Sequence, residues 1–482
     1  KKELLESAIS AFKSKESEIS STKGHIIRSI EGSRTMDKDS ATRGKIGTSN
    51  DGKFEFEGLV SLGDIHGWAP GLFNYLASSN LADSSFGDFQ WGTFEFPEQF
   101  KWRPNATRFL SPPGLDANPQ RPNSHPTIFR NLVVSPKHGT KPRLILIGDL
   151  IDRGDHSELV VEAVRQMVNK SPGGCFSLIG NHEAMIIQND FETWSKNEKR
   201  HISDGVTGRP FTVAHDPKVT GEETIEEGLL RNFSALRCSI GALLLTQHFS
   251  LLNSLSGEGK KRLKEMTKST WKKTKTNVRK LEKVVNLGGW ELYMEGGRFL
   301  DAISTKADKT QMIVPGAIVS WYEAGNFFLH AEPSGIAELG QNFHDTTSGI
   351  GSMQDSWELR GSEIRFQLAA IANGPAGRLE ISQGISTAGR GRGGGLLWAR
   401  DDDTYVGTAK GVSILRGMLP ELTNIIHGHS PGPSTSFRDF KESESIVRVH
   451  NIDESIGPNP RFDSGLEDPY CTEITPTGWS SG

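Results

Sequence analysis

Three short apolar runs along the first half of the chain end in the same way. Leu59-Val60-Ser61-Leu62 runs into Gly63-Asp64, Leu144-Ile145-Leu146-Ile147 into Gly148-Asp149, and Cys175-Phe176-Ser177-Leu178-Ile179 into Gly180-Asn181. Runs of this length, apolar throughout and closed by glycine, predict one buried strand each. Between the second and third, Leu159, Val160, Ala163, Val164 and Met167 fall at helical spacing within Ser157 to Val168, so the pattern reads as βαβ. Open α/β sheets carry their functional polar residues at the carboxyl ends of strands, which is where each Gly-Asp or Gly-Asn falls. Later strands are predicted at Phe327–His330, Thr423–Ile426 and Ser445–His450.

The polar stretches between these runs set the expected organisation. Residues 1–55, rich in Ser, Lys, Glu and Gly, read as an N-terminal extension whose first turns could form an amphipathic helix through Leu4, Leu5, Ala8, Ile9 and Phe12. The main domain is expected over 56–460, with inserts at 78–142 and 191–315 and a C-terminal tail at 461–482. The first insert, with Trp91, Phe94, Phe96, Phe100 and Trp102 before a proline-rich run, reads as a surface excursion partly anchored by its aromatics. The second reads as largely helical. From Gly259 to Val284 it holds eleven Lys or Arg against two Glu, the pattern of a long solvated helix. The same charge could also dock a protein partner or an anionic surface. Gly389 to Gly395, with Arg390 and Arg392, reads as a flexible loop leading into Leu396-Leu397-Trp398-Ala399-Arg400.

Composition narrows the classes. A formal net charge of −4 and a pI near 6.4 argue against a protein wrapped around nucleic acid. The three cysteines, Cys175, Cys238 and Cys471, are far apart and in no metal-like spacing, so a reducing compartment is expected, cytoplasmic or organellar. Because the chain starts at Lys1, removal of a targeting segment stays open. The longest unbroken apolar runs fall far short of the ~20 residues of a membrane span. A mean hydropathy of −0.44 predicts solubility.

The polar groups at the strand ends carry the chemistry. Two neighbouring divalent ions need a bridging oxygen ligand and several terminal N or O ligands. Asp64 and His66 leave one strand two residues apart and can turn to one ion if the chain bends there. Asp149, on the next strand end, is the natural bridging carboxylate, and Asn181 offers a neutral amide oxygen. A hard-oxygen, borderline-nitrogen set suits Mn, Fe or Zn better than Mg alone. Arg153 has a fork of donors that fits phosphate oxygens.

Asp64-Ile65-His66, Gly148-Asp149-Leu150-Ile151-Asp152-Arg153-Gly154 and Gly180-Asn181-His182-Glu183, in that order, resemble the motifs of the calcineurin-like metallophosphoesterases. More narrowly they resemble the phosphoprotein phosphatases, nearest in flavour to the bacterial, Shewanella-like branch. That resemblance implies an α/β fold with a central two-sheet β-sandwich flanked by helices, and a dinuclear metal site at the strand ends. It adds His330 and His429 as ligands, with Asp64, His66 and His429 on one metal, Asn181 and His330 on the other, and Asp149 bridging. It implies a metal-bridging hydroxide as nucleophile and His182, paired with Asp152, as the acid that protonates the leaving group. Arg400 resembles the arginine of a Leu-Trp-x-Arg segment and would be a second phosphate clamp. Gly428-His429-Ser430 matches the Gly-His-Thr of the family, which leaves His427 near the site rather than in it. Glu183 is expected to start the following helix rather than to bind metal.

Two departures stand out. His330-Ala331-Glu332-Pro333 replaces the family's His-Gly-Gly or His-Ala-Gly, bringing a carboxylate toward metal or substrate, or else outward. The spacings are long as well, 85 residues from Asp64 to Asp149 and 148 from His182 to His330. The function implied is hydrolysis of phosphomonoesters, with a phosphoprotein or phosphopeptide carrying phosphorylated Ser, Thr or Tyr as substrate. Cleavage of dinucleoside polyphosphates or other small phosphoesters is the alternative enzyme, and a structural or regulatory subunit on a phosphatase scaffold the alternative class. Retention of every expected ligand together with His182, Asp152 and Arg153 favours the enzyme.

Overall fold

The computed structural model describes residues 59–67, 81–86, 89–91, 132–136, 143–153, 157–203, 225–255, 257–306, 312–339, 357–359, 364–373, 379–381, 395–400, 406–430, 437–442, 445–453, 471–475 and 478–481, with a few positions between 69 and 76. The expected N-terminal extension, Phe94 to Trp102 with the proline-rich run after them, and the Gly389–Gly394 tract lie outside the described residues.

The first sheet is built from the three predicted runs. Strands β1 (Leu59–Leu62), β5 (Arg143–Leu146) and β6 (Cys175–Ser177) are buried along their whole length and run parallel. Helix α1 (Ser157–Lys170) makes the crossover between the second and third, as its apolar spacing requires. Strands β15 (Cys471–Thr475) and β16 (Gly478–Ser481) complete the order β16-β15-β1-β5-β6. Residues expected as a tail therefore pair with the scaffold: Ile474 lies opposite Leu59 and Cys471 opposite Leu62 in an antiparallel ladder. Without them, β1 would present an open edge, and an unpaired edge leaves buried backbone groups unsatisfied.

The second sheet holds eight strands. Along it lie β11 (Leu379–Ile381), β10 (Ile364–Asn373), β7 (Met312–Glu323), β8 (Asn326–Leu329), β12 (Asn424–His427), β14 (Ser445–Asn451) and β13 (Phe437–Glu442), with β9 (Trp357–Leu359) added to β10. β8, β12 and β14 match the three later predictions within a residue or so. β7 starts at Met312, inside the range expected for the helical insert. Strands β2 (Ala82–Phe86), β3 (Phe89–Trp91) and β4 (Leu132–Pro136) make a third, small sheet from the first insert. That excursion is tied to α1: Val134 N–H donates to Gln166 at 2.9 Å, and Lys170 donates to the Val134 carbonyl at 2.6 Å.

Helices α2 (Asn181–Gln188), α3 (Phe191–Ser203), α4 (Ile225–Ser254), α5 (Gly257–Lys273), α6 (Val278–Leu287) and α7 (Trp290–Lys306) follow β6. The basic run is thus two helices. They part at Thr274–Asn277, where Lys275 has φ 55° and the Asn277 side chain caps α6 by accepting from Lys280 N–H. Within α4, Asn232–Ser254 is long and apolar enough to cross a membrane by length and composition, which the short unbroken runs had hidden. Its apolar face is buried inside the protein, in one continuous core with residues of both large sheets, and only its two ends and a few polar positions reach the surface. Short helices α8 (Ser334–Leu339) and α9 (Gly395–Trp398) and the longer α10 (Val406–Met418) close the other side.

The two large sheets are joined where the chemistry lies. Leu178, just past β6, bridges to Ile318 of β7, and Ile179 N–H donates to the Ile318 carbonyl at 2.8 Å. Gln247 of α4 completes the seam. Its amide takes the Ser177 N–H at 2.8 Å and donates to the carbonyls of Ser177 and Gly316 at 2.8 and 2.7 Å. A buried polar side chain thereby satisfies strand-end groups that neither sheet could pair.

Candidate metal centre and active site

Parallel pairing brings the carboxyl ends of β1, β5 and β6 together, and those of β8 and β12 meet them from the second sheet. The loops then lock to one another. Ile65 and His66 N–H both donate to the Asp149 carbonyl, at 3.1 and 2.8 Å, and Gly428 N–H donates to the His330 carbonyl at 2.8 Å. Glycines let the ends crowd. At Gly180 a Cβ would stand 2.1 Å from Asp149 Oδ1, and at Gly148, with φ 103°, it would stand 2.5 Å from Gly180 N. Of eight described non-glycine residues with positive φ, five are His66, Asp149, Asp152, Arg153 and His429. Such backbone strain persists only where surrounding structure enforces it, and it concentrates at functional sites.

Glu183 enforces much of it. Its carboxylate accepts from Asp149 N–H and Leu150 N–H at 2.8 Å each, and from Gly180 N–H at 2.9 Å at the start of α2. Sequence reasoning foresaw the helix start and missed the clamp on the Asp149 turn. Burial and the Asp149 charge push the Glu183 carboxyl up to about 7.

One ligand atom from each of Asp64, Asp149, His330 and His429 lies within 4.8 Å of the others, and the same holds for His66, Asp149 and His182. All are buried, and Asp149 belongs to both clusters. His330 Nδ1 donates to the Ile147 carbonyl at 2.9 Å, which turns Nε2 inward, 3.1 Å from Asn181 Oδ1 and 3.4 Å from Asp149 Oδ1. His66 is oriented in the same way, Nδ1 donating to the Ile151 carbonyl at 3.1 Å. Its Nε2 then lies 3.8 Å from Asp64 Oδ2 and 3.7 Å from Asp149 Oδ2 with no hydrogen-bond partner. His429 spans the two halves. Its backbone N–H reaches the Asp64 carboxylate at 3.2 Å, while its Nδ1 is 3.1 Å from the Asn181 amide oxygen.

The donor set fits divalent cations. The Asn181 amide faces two Asp149 oxygens at 3.2 and 3.0 Å and the His330 and His429 ring nitrogens at 3.1 Å each; with its NH2 turned inward it donates to these four acceptors, and with its oxygen inward it joins them as a ligand. The electrostatics carry the same mark. Burial, Asp453 and Asp149 drive the Asp64 carboxyl well above its usual range. Burial also raises Asp149, but His330, His182 and His66 outweigh it and hold that carboxyl well below. For His330, burial is overcome by Asp149, Asp64 and Glu183, which lift it to about 9. His66 is pushed well down by burial and Arg153, and His429 by burial, His330 and Arg400. A proton on His330 thus does part of what a cation would do for these carboxylates.

Beside the clusters, His182 Nδ1 lies 2.6 Å from Asp152 Oδ2, and its Nε2 is 3.9 Å from Asp149 Oδ2. Asp152 is fixed at its backbone too, its N–H donating to Ser157 Oγ at 2.9 Å. Arg153 is half-buried, with an Nε that has no hydrogen-bond partner. Arg400 stands exposed at the rim. Partial desolvation and the Arg153 charge lower its pKa, against Asp453, Asp64 and Asp149. Asp453, buried at the end of β14, was not singled out from sequence, where nothing marks it beyond its place after a strand. His427 turns its Nδ1 to the Gly428 carbonyl. Glu332 points into the scaffold: its carboxylate accepts from Thr408 Oγ1 of α10 and from Ser334 Oγ of α8.

The family profile described as calcineurin-like phosphoesterase matches residues 60–225, so His330, Arg400 and His429 lie beyond the matched span. No curated protein matches the chain. Among solved structures, the crystal structure of a cold-active protein-tyrosine phosphatase of a psychrophile Shewanella species aligns with 11% identity over 91% of this chain and 90% of that one. Its TM-score is 0.29, too low a likeness to carry an inference. On the matched span, the two helix-flanked sheets and the buried Asp/His clusters, the chain carries a calcineurin-like metallophosphoesterase domain, a scaffold for metal-dependent phosphoester hydrolysis.

Proposed function

We propose that the protein is a phosphomonoesterase that needs two divalent ions and acts on phosphorylated Ser, Thr or Tyr side chains of proteins. The observation that carries this reading is the pair of buried Asp/His clusters that share Asp149, beside the His182–Asp152 pair. Asp64, His66 and Asp149 would hold one ion, and Asp149, Asn181, His330 and His429 the other. His429 joins the Asn181 side in this assignment because its ring nitrogen sits against that amide. Divalent ions, when bound, supply Lewis-acid polarisation of phosphoryl oxygens and activation of water.

The chain's own residues do the rest. Arg153 and Arg400 bind and orient phosphate oxygens. Asp152 accepts the Nδ1 proton of His182 and keeps the ring turned so that Nε2 faces the cluster. His182 Nε2–H then gives its proton to the departing ester oxygen. Hard oxygen and imidazole ligands suit Mn, Fe or Zn.

The test is hydrolysis of an aryl phosphate by the Mn-supplemented protein, with and without prior EDTA treatment, and by Asp149→Asn. Activity should vanish with chelation, return with Mn, and be absent in the variant. Equal inactivity of wild type and variant, with metal bound to the wild type, would sink the proposal. Phosphopeptide and nucleotide panels then separate the substrate classes.

A further inference from the structure

Asp152 receives a second donor from the insert. α3 follows α2 after a short turn, and on its first turn Trp194 aims its indole N–H at the carboxylate, with Nε1 3.0 Å from Oδ1 and 3.0 Å from Oδ2. Trp194 is 1% exposed. Phe191 of the same helix and Phe233 of α4 pack on it, with ring centroids 6.1 and 5.2 Å away. One turn further along α3, Glu198 is buried as well and feels the charges of Asp152 and Arg153.

A carboxylate held by one imidazole can still rotate about its Cβ–Cγ bond. When it does, the ring that depends on it loses its reference. An N–H placed evenly on both oxygens removes that freedom, and aromatic neighbours on two helices keep the indole from following. We propose that Trp194 is a positioning residue: by clamping the Asp152 carboxylate it sets the direction of the His182 ring, and so makes α3 part of the phosphoester-cleaving unit. The inference rests on the reading of His182 as proton donor to the leaving group.

Loss of such positioning has a chemical signature. An ester with a strongly acidic leaving phenol departs without proton assistance, whereas phenyl phosphate needs it. Trp194→Phe keeps a packed ring and removes the N–H. With general-acid assistance worth ~10²–10⁴ in rate, Trp194→Phe should lose on the order of 10-fold in kcat on phenyl phosphate and less than about 2-fold on 2,4-dinitrophenyl phosphate, with KM nearly unchanged on both. Asp152→Asn and His182→Asn should show the same selectivity more strongly. Benzothienylalanine at position 194, isosteric with tryptophan and lacking the N–H, repeats the test if Trp194→Phe folds poorly. A readout apart from turnover is proton NMR of the metal-free protein, where a downfield His182 Nδ1 proton signal should be broadened by either change at 194 and lost in Asp152→Asn. Equal losses on the two esters, or no loss on phenyl phosphate while Asp152→Asn and His182→Asn keep their selectivity, overturns the role of Trp194 and leaves the proton donor in place. Absence of selectivity in His182→Asn itself overturns the proton-donor reading instead.

Discussion

Arg143 and Glu323 tie the two large sheets together, and removing either should unsettle the site they carry. Arg143 opens β5, the strand that delivers Asp149, while Glu323 closes β7, which turns into β8 and His330. Arg143 Nε lies 2.8 Å from Glu323 Oε2, with the two side chains 3% and 0% exposed. The guanidinium also donates to the Gly173 carbonyl and stands 5.4 and 5.5 Å from the ring centroids of Phe176 and Trp321. Trp321 Nε1 donates to the same carboxylate at 2.9 Å. At that separation the attraction is roughly 6 kcal/mol for an effective dielectric of ~20, most of it offset by desolvation of both ions. Breaking the pair from one side leaves the other charge buried without its counter-ion. Arg143→Met and Glu323→Leu should therefore each cost about 3–5 kcal/mol. The double variant should cost at least ~2 kcal/mol less than the sum, because it buries no orphan charge. Urea denaturation at pH 7, followed by tryptophan fluorescence and far-UV circular dichroism, measures all three. Singles that cost under about 1 kcal/mol, or a double equal to the sum of the singles, would refute the reasoning.

Gly180→Ala should lower kcat/KM by about 10²-fold or more and reduce bound metal, since the new methyl group would strike Asp149 Oδ1; metal stoichiometry and activity near wild type would contradict it. His248 on α4, packed 5.3 Å from the Trp271 ring, has its pKa pulled by burial to about 3. The unfolded chain takes up this proton near pH 6.5 and the folded one only near 3, so stability falls as pH drops through that window. Between pH 7 and 5 the wild type should lose about 2 kcal/mol more than His248→Phe, read from urea midpoints; parallel curves would exclude this buried-neutral state. Glu332→Gln should cost about 1–2 kcal/mol in stability and leave kcat within a few fold, because the carboxylate serves Thr408 and Ser334. A large kcat loss at unchanged stability would instead place Glu332 in the chemistry.

The sequence by itself determined the local parts. Each apolar run ending in Gly-Asp or Gly-Asn specified a buried strand and the group at its end, because periodicity and glycine are written in neighbouring residues. The helical character of the second insert was legible for the same reason. So was the gathering of Asp149, Asp152 and Arg153 into one turn after β5, through the motif that runs from Asp149 to Arg153. What only the tertiary structure decided are contacts between distant residues. The 471–481 strands carry no distinctive pattern, and only the open side of β1 calls for them. The buried α4 conceals a span-length apolar stretch because Arg237, Gln247 and His248 interrupt it in sequence, while in space Gln247 seals the sheet seam. Glu332 could have turned toward the site or outward, and its direction was settled by two hydroxyls, one of them 76 residues away. Trp194, in a mostly polar helix, gave no sign of Asp152, 42 residues upstream. Local pattern encodes which group stands at a strand end; which groups then face one another depends on how the strands are brought together.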